Sequence, residues 1–500
     1  VKMQICLSVG MSVSLAVASA VAFPVQDTRT KIIALSGNAA PGGGTYRSMT
    51  IEPVMNNQGQ VAFISNLQGI GSGSPNGMFR WDGNQTVAIG GPGGSPALQF
   101  VGVPAINESG QVTFAGSTFP SSSSYVFRGA GGALTEIART GQTVPGGGTI
   151  AYLAIDPQIN DLGDVSLGLS FDPTSGITGG LYRGSGGTLT EIARLQRPAP
   201  TGGNYSEFNY AFPINIAGQI AFAATTSLPN SGAIFRGDGD STLKIVQQGD
   251  LAPDGDGTFG DMGHQRPTLN DVGEVAFIGQ VNPFSGSQYS GVFLGSGEAV
   301  TQLVRTGLPT PGGDAIFNSF SNGPVINNAG QTTFGASLFK PENPLEVLRA
   351  VYRADKSQVT EVMRGGAIAS DGNGRFVDFG NPEMNAKGQV TVMAQLLDTS
   401  GGNVDDQALY FYSDASSLVQ VARKGQPMLG STIDYLNFTG GLNHVPSFDD
   451  EAMGMNDLGQ VAYVFRLADG RSGIAVWQLP EPLSALLLVW AGAAWALKIR

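Results

Sequence analysis

The sequence predicts an all-β protein: a β-propeller of eight four-stranded blades, closed by pairing of its N- and C-terminal strands. Three observations carry this. An Asn-x-x-Gly unit recurs eight times at nearly even spacing, the strands between copies alternate with period two, and the chain begins with the part of a unit that its last copy lacks. Seven blades and an open β-solenoid are the alternative architectures for the same strand content.

Each copy opens with one or two apolar residues and continues as Asn, two variable residues, Gly, a polar residue and a short apolar strand, as in Asn56-Asn57-Gln58-Gly59-Gln60-Val61-Ala62-Phe63. The defining pairs are Asn56 and Gly59, Asn107 and Gly110, Asn160 and Gly163, Asn215 and Gly218, Asn270 and Gly273, Asn327 and Gly330, Asn385 and Gly388, and Asn456 and Gly459. The copies start 51, 53, 55, 55, 57, 58 and 71 residues apart, near the period of propeller blades, and only the last interval requires an insertion. The chemistry of the motif is a turn. Asn bonds its side chain to the backbone two residues on, and Gly takes positive φ without steric cost. A loop of this kind joins antiparallel strands, so Pro104-Ala105-Ile106 and Val112-Thr113-Phe114 become hairpin partners.

A third strand ends in aromatic-Arg in most units, as in Phe79-Arg80, Phe127-Arg128, Tyr182-Arg183, Phe235-Arg236 and Tyr352-Arg353. A fourth follows, such as Leu134 to Arg139 or Leu189 to Arg194, and its Glu136, Glu191 or Glu361 is placed to pair with that arginine across the strands. Each unit closes on a Gly/Pro loop such as Gly141 to Gly148. The first such strand and loop, Lys31 to Ala34 and Pro41 to Thr45, have no preceding three strands, while the last copy ends at Gly473 to Trp477 without a fourth. Joining the halves completes a blade and removes two open edges.

Composition narrows the function. A net charge of -12 and a pI near 4.7, with no cluster of Lys and Arg, exclude nucleic acid as a partner. Glycine (73) and proline (28) imply many tight turns, and 41% hydrophobic against 13% charged residues give a sizeable core under a neutral polar surface. The single cysteine, Cys6, lies in the N-terminal apolar segment, so disulfides and thiolate metal sites are excluded from the mature chain.

Both ends read as addresses. Lys2 and the apolar run Ile5 to Val17 lead to small-x-small sites at Ala18-Ser19-Ala20 and Ala20-Val21-Ala22, which predicts a signal peptide over 1–22 cleaved after Ala22; a retained anchor helix is the alternative. At the other end, Pro480-Glu481-Pro482 precedes an apolar run from Leu483 to Leu497 and then Lys498 and Arg500. As a helix, that run rises about 22 Å, a minimal span of a hydrocarbon layer about 30 Å thick. The arrangement over 480–500 resembles the PEP-CTERM sorting signal. The resemblance implies a transient inner-membrane helix, processing by an exosortase-type enzyme, and delivery to the surface or exterior of a Gram-negative, exopolysaccharide-making bacterium. That family often ends in several Arg, whereas two basic residues stand here; a permanent C-terminal anchor is the alternative. The repeat itself, over about 28–478, resembles the bacterial NxxGxxAF tandem-repeat proteins with a choice of C-terminal anchors. Asn56, Asn215 and Asn270 meet that consensus closely, and Ser166-Leu167 and Thr391-Val392 depart from its Ala-Phe. Membership implies surface location and repeat architecture, with no activity attached.

Candidate chemistry is sparse. The only histidines, His264 and His444, stand in different units without neighbouring ligand types at metal-site spacing, against zinc, iron or a histidine-dependent hydrolase. Asp250, Asp254, Asp256 and Asp371, with Asp261 nearby, sit on Gly-rich loops whose oxygens suit calcium, the one cofactor considered. The equivalent Pro145-Gly146-Gly147-Gly148 has no carboxylate, so a plain turn is the alternative, as it is for Asp238 and Asp240. The expected function is a non-catalytic binding or scaffold role at the cell surface, toward exopolysaccharide or other surface proteins. The alternative is a glycosidase or lyase using non-repeating acids at the channel mouth, for which Asp378, Asp449, Asp450 and Glu451 are the candidates.

Overall fold

The computed structural model describes residues 29–479 except 71–75, 92–97, 119–122, 155, 176–177, 210–211, 414–416 and 440–452. Ala20, Ala22, Pro480, Glu481, Pro482, His444, Asp449, Asp450 and Glu451 lie outside the described residues. Among the described residues no helix is long and apolar enough to cross a membrane.

The chain folds into eight small antiparallel sheets, arranged as an eight-bladed β-propeller. Seven are meanders whose strands follow one another in chain order. The second strands, which follow the motif glycines, are Val61–Gln68, Val112–Thr118, Val165–Phe171, Ile220–Thr226, Val275–Pro283, Thr332–Lys340, Val390–Leu397 and Gln460–Leu467, for blades 1 to 8. Blade 8 joins the two ends of the chain. Ser431–Asn437, Gln460–Leu467 and Ser472–Gln478 come from the C-terminal side, and Thr30–Leu35 adds the outer strand, with Thr30 opposite Trp477 and Leu35 opposite Gly473. This is the closure that the unmatched ends of the sequence require, and eight closed sheets exclude the seven-blade and solenoid architectures.

In six blades the first strand breaks before its motif, and the residue three before the Asn explains why. It is Pro53, Pro104, Pro157, Pro267, Pro324 and Pro382 in six blades. Proline has no N–H for the ladder, and the pairing register shifts across it, between Val101 and Ala105 in blade 2 and between Ser321 and Val325 in blade 6. Behind the strands, the Phe of Ala-Phe centres an aromatic trio. Phe63 stacks on Phe79 at 5.5 Å with Tyr46 edge-on, and Phe222, Phe235 and Tyr205 repeat this in blade 4, as do Phe277, Phe293 and Phe259 in blade 5. Such pairs add about 0.5–1.5 kcal/mol each beyond the area they bury. Where Leu167 and Val392 replace the Phe, the contacts are Phe171 edge-on to Tyr182, and Phe376 edge-on to Tyr410 and tilted against Phe379.

Candidate functional site

The motif asparagines form a closed ring of hydrogen bonds about the propeller axis. The Asn56 amide donates to the Asn107 carbonyl at 2.8 Å, Asn107 to Asn160, Asn160 to Asn215, Asn215 to Asn270, Asn270 to Asn327, Asn327 to Asn385, Asn385 to Asn456, and Asn456 back to Asn56 at 3.0 Å. The ring fixes which strand of each blade is innermost: the first, which ends at this residue. The Oδ1 of each Asn meanwhile accepts the backbone N–H four residues on, from Gln60 in blade 1 and Glu274 in blade 5, and only in some copies the N–H two residues on, as from Ala329. The turn role predicted from the sequence is therefore half of what the side chain does, and its span is corrected from two residues to four. Every motif glycine has positive φ, between 72° and 84°.

The arginines that follow the aromatics are also corrected. They do not pair with Glu136, Glu191 or Glu361; they reach into the next blade and donate to the carbonyl of its motif glycine, Arg80 to Gly110, Arg128 to Gly163, Arg183 to Gly218, Arg236 to Gly273 and Arg353 to Gly388. Each glutamate instead meets the arginine three residues later on its own strand, Arg139, Arg194 or Arg364.

The residues after the belt asparagines make a second, broken ring. Backbone N–H groups of Asn57, Glu108, Ile216, Asp271, Ala386 and Asp457 donate to side-chain oxygens of the next blade's equivalent residue at 2.7–2.8 Å. The ring breaks after Asp161 and Asn328, because Ile216 and Ala386 offer no acceptor. Between the belt and the aliphatic residues before it, including Ile214, Leu269, Ile326 and Met384, the axis narrows to a cavity of about 20 Å³, room for about one water.

The loops that enter the blades lie on the opposite face, and there the candidate calcium acids do not converge on a common point. Asp250 pairs with Lys244 at 2.8 Å and accepts the Gln247 N–H. Asp254 accepts from Gln302, and Asp256 binds Arg305 at 3.0 Å and the Tyr289 hydroxyl at 2.9 Å. Burial first, then this hydrogen bond, pushes the Tyr289 phenol up to about 12, so it stays a donor at neutral pH. Asp371 pairs with the buried Arg423 at 2.7 Å. Cations of the protein itself thus stand opposite these carboxylates. The device recurs in the uncharged loop, where Arg194, 1% exposed, donates to the Pro145 and Gly147 carbonyls. In each case an arginine at the end of the outer strand pins the loop that crosses its blade. Asp238 accepts the Asp240 and Ser241 N–H groups and is a turn residue.

Asp378, on the inner strand of blade 7, faces Arg349 at 3.9 Å with both side chains well exposed. His264 sits between two carboxylates, Asp261 at 2.7 Å and Glu207 of the preceding blade at 3.7 Å, and the Asp261 hydrogen bond is the main cause that raises its pKa. Among the described residues no group of three His, Cys, Asp or Glu side chains could hold a metal ion.

A family model covering residues 55–486, from the first belt asparagine to beyond the last blade, matches the sequence. The chain belongs to DUF7453, a family of unknown function. No curated protein matches this DUF7453 chain in sequence. Among solved structures it is similar to a prolyl endopeptidase, at 11% identity and a TM-score of 0.45 over 84% of this chain and 55% of that one. It is also similar to an oligogalacturonate lyase in complex with manganese (12%, 0.40, 85% and 99%) and to a family PL25 ulvan lyase (11%, 0.37, 76% and 94%). The DUF7453 chain thus spans little more than half the length of the endopeptidase.

Proposed function

We propose that this DUF7453 protein is a non-catalytic binding and scaffold protein of the bacterial surface, engaging polysaccharide through its loop face. The observation that carries the reading is the closed belt. On that side the repeat brings to the axis eight asparagines bonded to one another around the whole ring, and next to them residues bonded to one another at six of the eight blade junctions. An axial active site would need some of these groups turned toward a substrate. The acids of the loop face are likewise bonded to arginine, lysine and tyrosine. The signal-like N-terminus and the Pro480-Glu481-Pro482 tail support export and surface sorting, with an exosortase-type enzyme as the processing partner.

The test is a glycan array probed with the purified full chain, followed by mass spectrometry of the bound sugars. Binding with intact sugars is the expected result. Shortened or unsaturated products would replace this reading with a glycan-active enzyme.

A further inference from the structure

In a repeat protein, a site for one ligand has to be built from residues that break the repeat. Between blades 3 and 4 on the loop face, several breaks coincide. The position three before the motif Asn, proline in six blades, is Phe212 in blade 4. Under it lies Gly168, where six other blades have Ile64, Ala115, Ala223, Ile278, Met393 or Val464. A Cβ at Gly168 would stand 2.5 Å from the Phe212 ring, so the small residue makes room for the large one. Ser166, the departure from Ala-Phe in blade 3, donates a buried 2.7 Å hydrogen bond to the Phe212 carbonyl and holds the inner strand of blade 4 in place.

These substitutions open a cleft of about 180 Å³, lined by Tyr152, Leu169, Leu195, Glu207, Phe208 and Phe212. Its volume is about six waters' worth of liquid. Tyr152 is 53% exposed at its rim. Glu207 continues the lining toward blade 5, where it meets His264 and, through it, Asp261. Asn209 ties the same two blades by donating to the His264 and Gln265 carbonyls at 2.9 and 2.7 Å.

We propose that this cleft is a subsite for one neutral pyranose unit of a polysaccharide. An exposed tyrosine face beside an apolar floor accepts the C–H face of a sugar ring, and a few polar groups at one edge fix its orientation by hydrogen bonds to hydroxyls. Glu207 and Asp261 are acceptors for paired hydroxyls. Two carboxylates against one imidazole leave the edge net negative whether or not the imidazole is protonated, which disfavours the carboxylate of a uronic acid.

The inference rests on the polysaccharide-binding reading, and the experiment separates the two. The full chain is titrated calorimetrically with cellotetraose, mannotetraose, galactotetraose and tri-galacturonate, alongside Tyr152→Ala, Glu207→Gln and the control Tyr435→Ala, a tyrosine of blade 8 against Arg466. The expected result is binding of a neutral tetrasaccharide that weakens about tenfold or more in Tyr152→Ala and Glu207→Gln, and is unchanged in the control. Neutral-sugar binding unaffected by both cleft substitutions overturns the subsite and leaves the general reading standing. Preference for tri-galacturonate overturns the neutral-sugar assignment. Failure of the wild type to bind any of these sugars, with glycan binding absent on the array as well, overturns the general reading.

Discussion

Replacing Asn456 by Ala and by Asp separates the belt from the turn. Asn456 is buried; its Oδ1 accepts the Leu458 and Gln460 N–H groups at 3.1 and 3.0 Å, and its amide donates to the Asn56 carbonyl at 3.0 Å and to Gln460 Oε1 at 2.8 Å. Alanine loses all four bonds, of which the one to the Asn56 carbonyl is buried and the other three partly buried, and at about 1 kcal/mol each this costs about 4 kcal/mol. Aspartate keeps the two acceptor bonds that make the turn. It loses both donors and brings a buried carboxylate against two oxygens, so it costs at least about 2 kcal/mol. The assay is denaturant unfolding of the full chain followed by circular dichroism, with midpoints compared across the series. The expected order is wild type first, with both variants well below it. If Asn456→Asp unfolds with the wild type, the side chain acts only as a turn former, because aspartate makes that turn equally well, and the closed belt contributes nothing to stability.

Four further outcomes follow from the same geometry. Gly163→Ala is expected to lose more stability than Gly141→Ala in the same unfolding assay: both have positive φ, at 84° and 81°, worth about 1–3 kcal/mol of strain, but only at Gly163 would the new Cβ also press on the Arg128 guanidinium, at 2.5 Å. Deleting Thr30–Leu35 bares the edge of Ser472–Gln478; size-exclusion chromatography should show self-association, reversed by a synthetic peptide of residues 29–36. Arg423→Ala leaves Asp371 and the Asn373 and Asp405 carbonyls without their partner and should cost about 3–5 kcal/mol by denaturant midpoint, with Arg423→Lys recovering only part. The Arg364 hydrogen bond is the main cause holding Asp314 below the usual carboxylate range; the stability it adds is present above the unfolded value of about 3.9 and is lost as pH falls through the lower folded value. Asp314→Asn should therefore flatten the acid side of the melting temperature against pH and leave the neutral side level.

The blade count and the closing strand were legible because they rest on residues with one local solution. Eight glycines at positive φ mark eight hairpins, and a lone outer strand at Lys31 to Ala34 has only one unpaired partner in the chain. The belt was hidden because turn formation already accounts for an asparagine. The signal was present all the same: all eight positions are Asn and none is Asp, although Glu108, Asp161, Asp271 and Asp457 occupy the next position, and only a donor requirement separates the two types there. The arginine reach was hidden by sequence distance, yet 30 to 37 residues separate each arginine from its glycine in the next blade, an interval as regular as the repeat. For the acidic loops, composition pointed to cation ligands, and the fold sets Arg305 against Asp256 and Arg423 against Asp371, about fifty residues further along at the ends of outer strands.

The way the chain leaves the ring bears on which face can work. Arg29 and Gln478 are hydrogen-bonded neighbours, and the Leu479 N–H donates to the Gly459 carbonyl, so both ends depart from the side of the belt hairpins. On the proposed surface sorting, a tether at either end would hold the ring by its belt face and turn the other face away. That other face carries the loops pinned by Arg194, Arg305, Arg364 and Arg423, and between them the residues that break the repeat, Tyr152, Phe212 and His264. Pinning matters for binding as well as stability: a loop already fixed by a buried arginine gives up little conformational entropy when a ligand settles beside it. A repeat that joins its blades through the belt face and rigidifies the loops of the opposite face leaves that face free to vary from blade to blade, and a site placed there can differ between blades without weakening the ring.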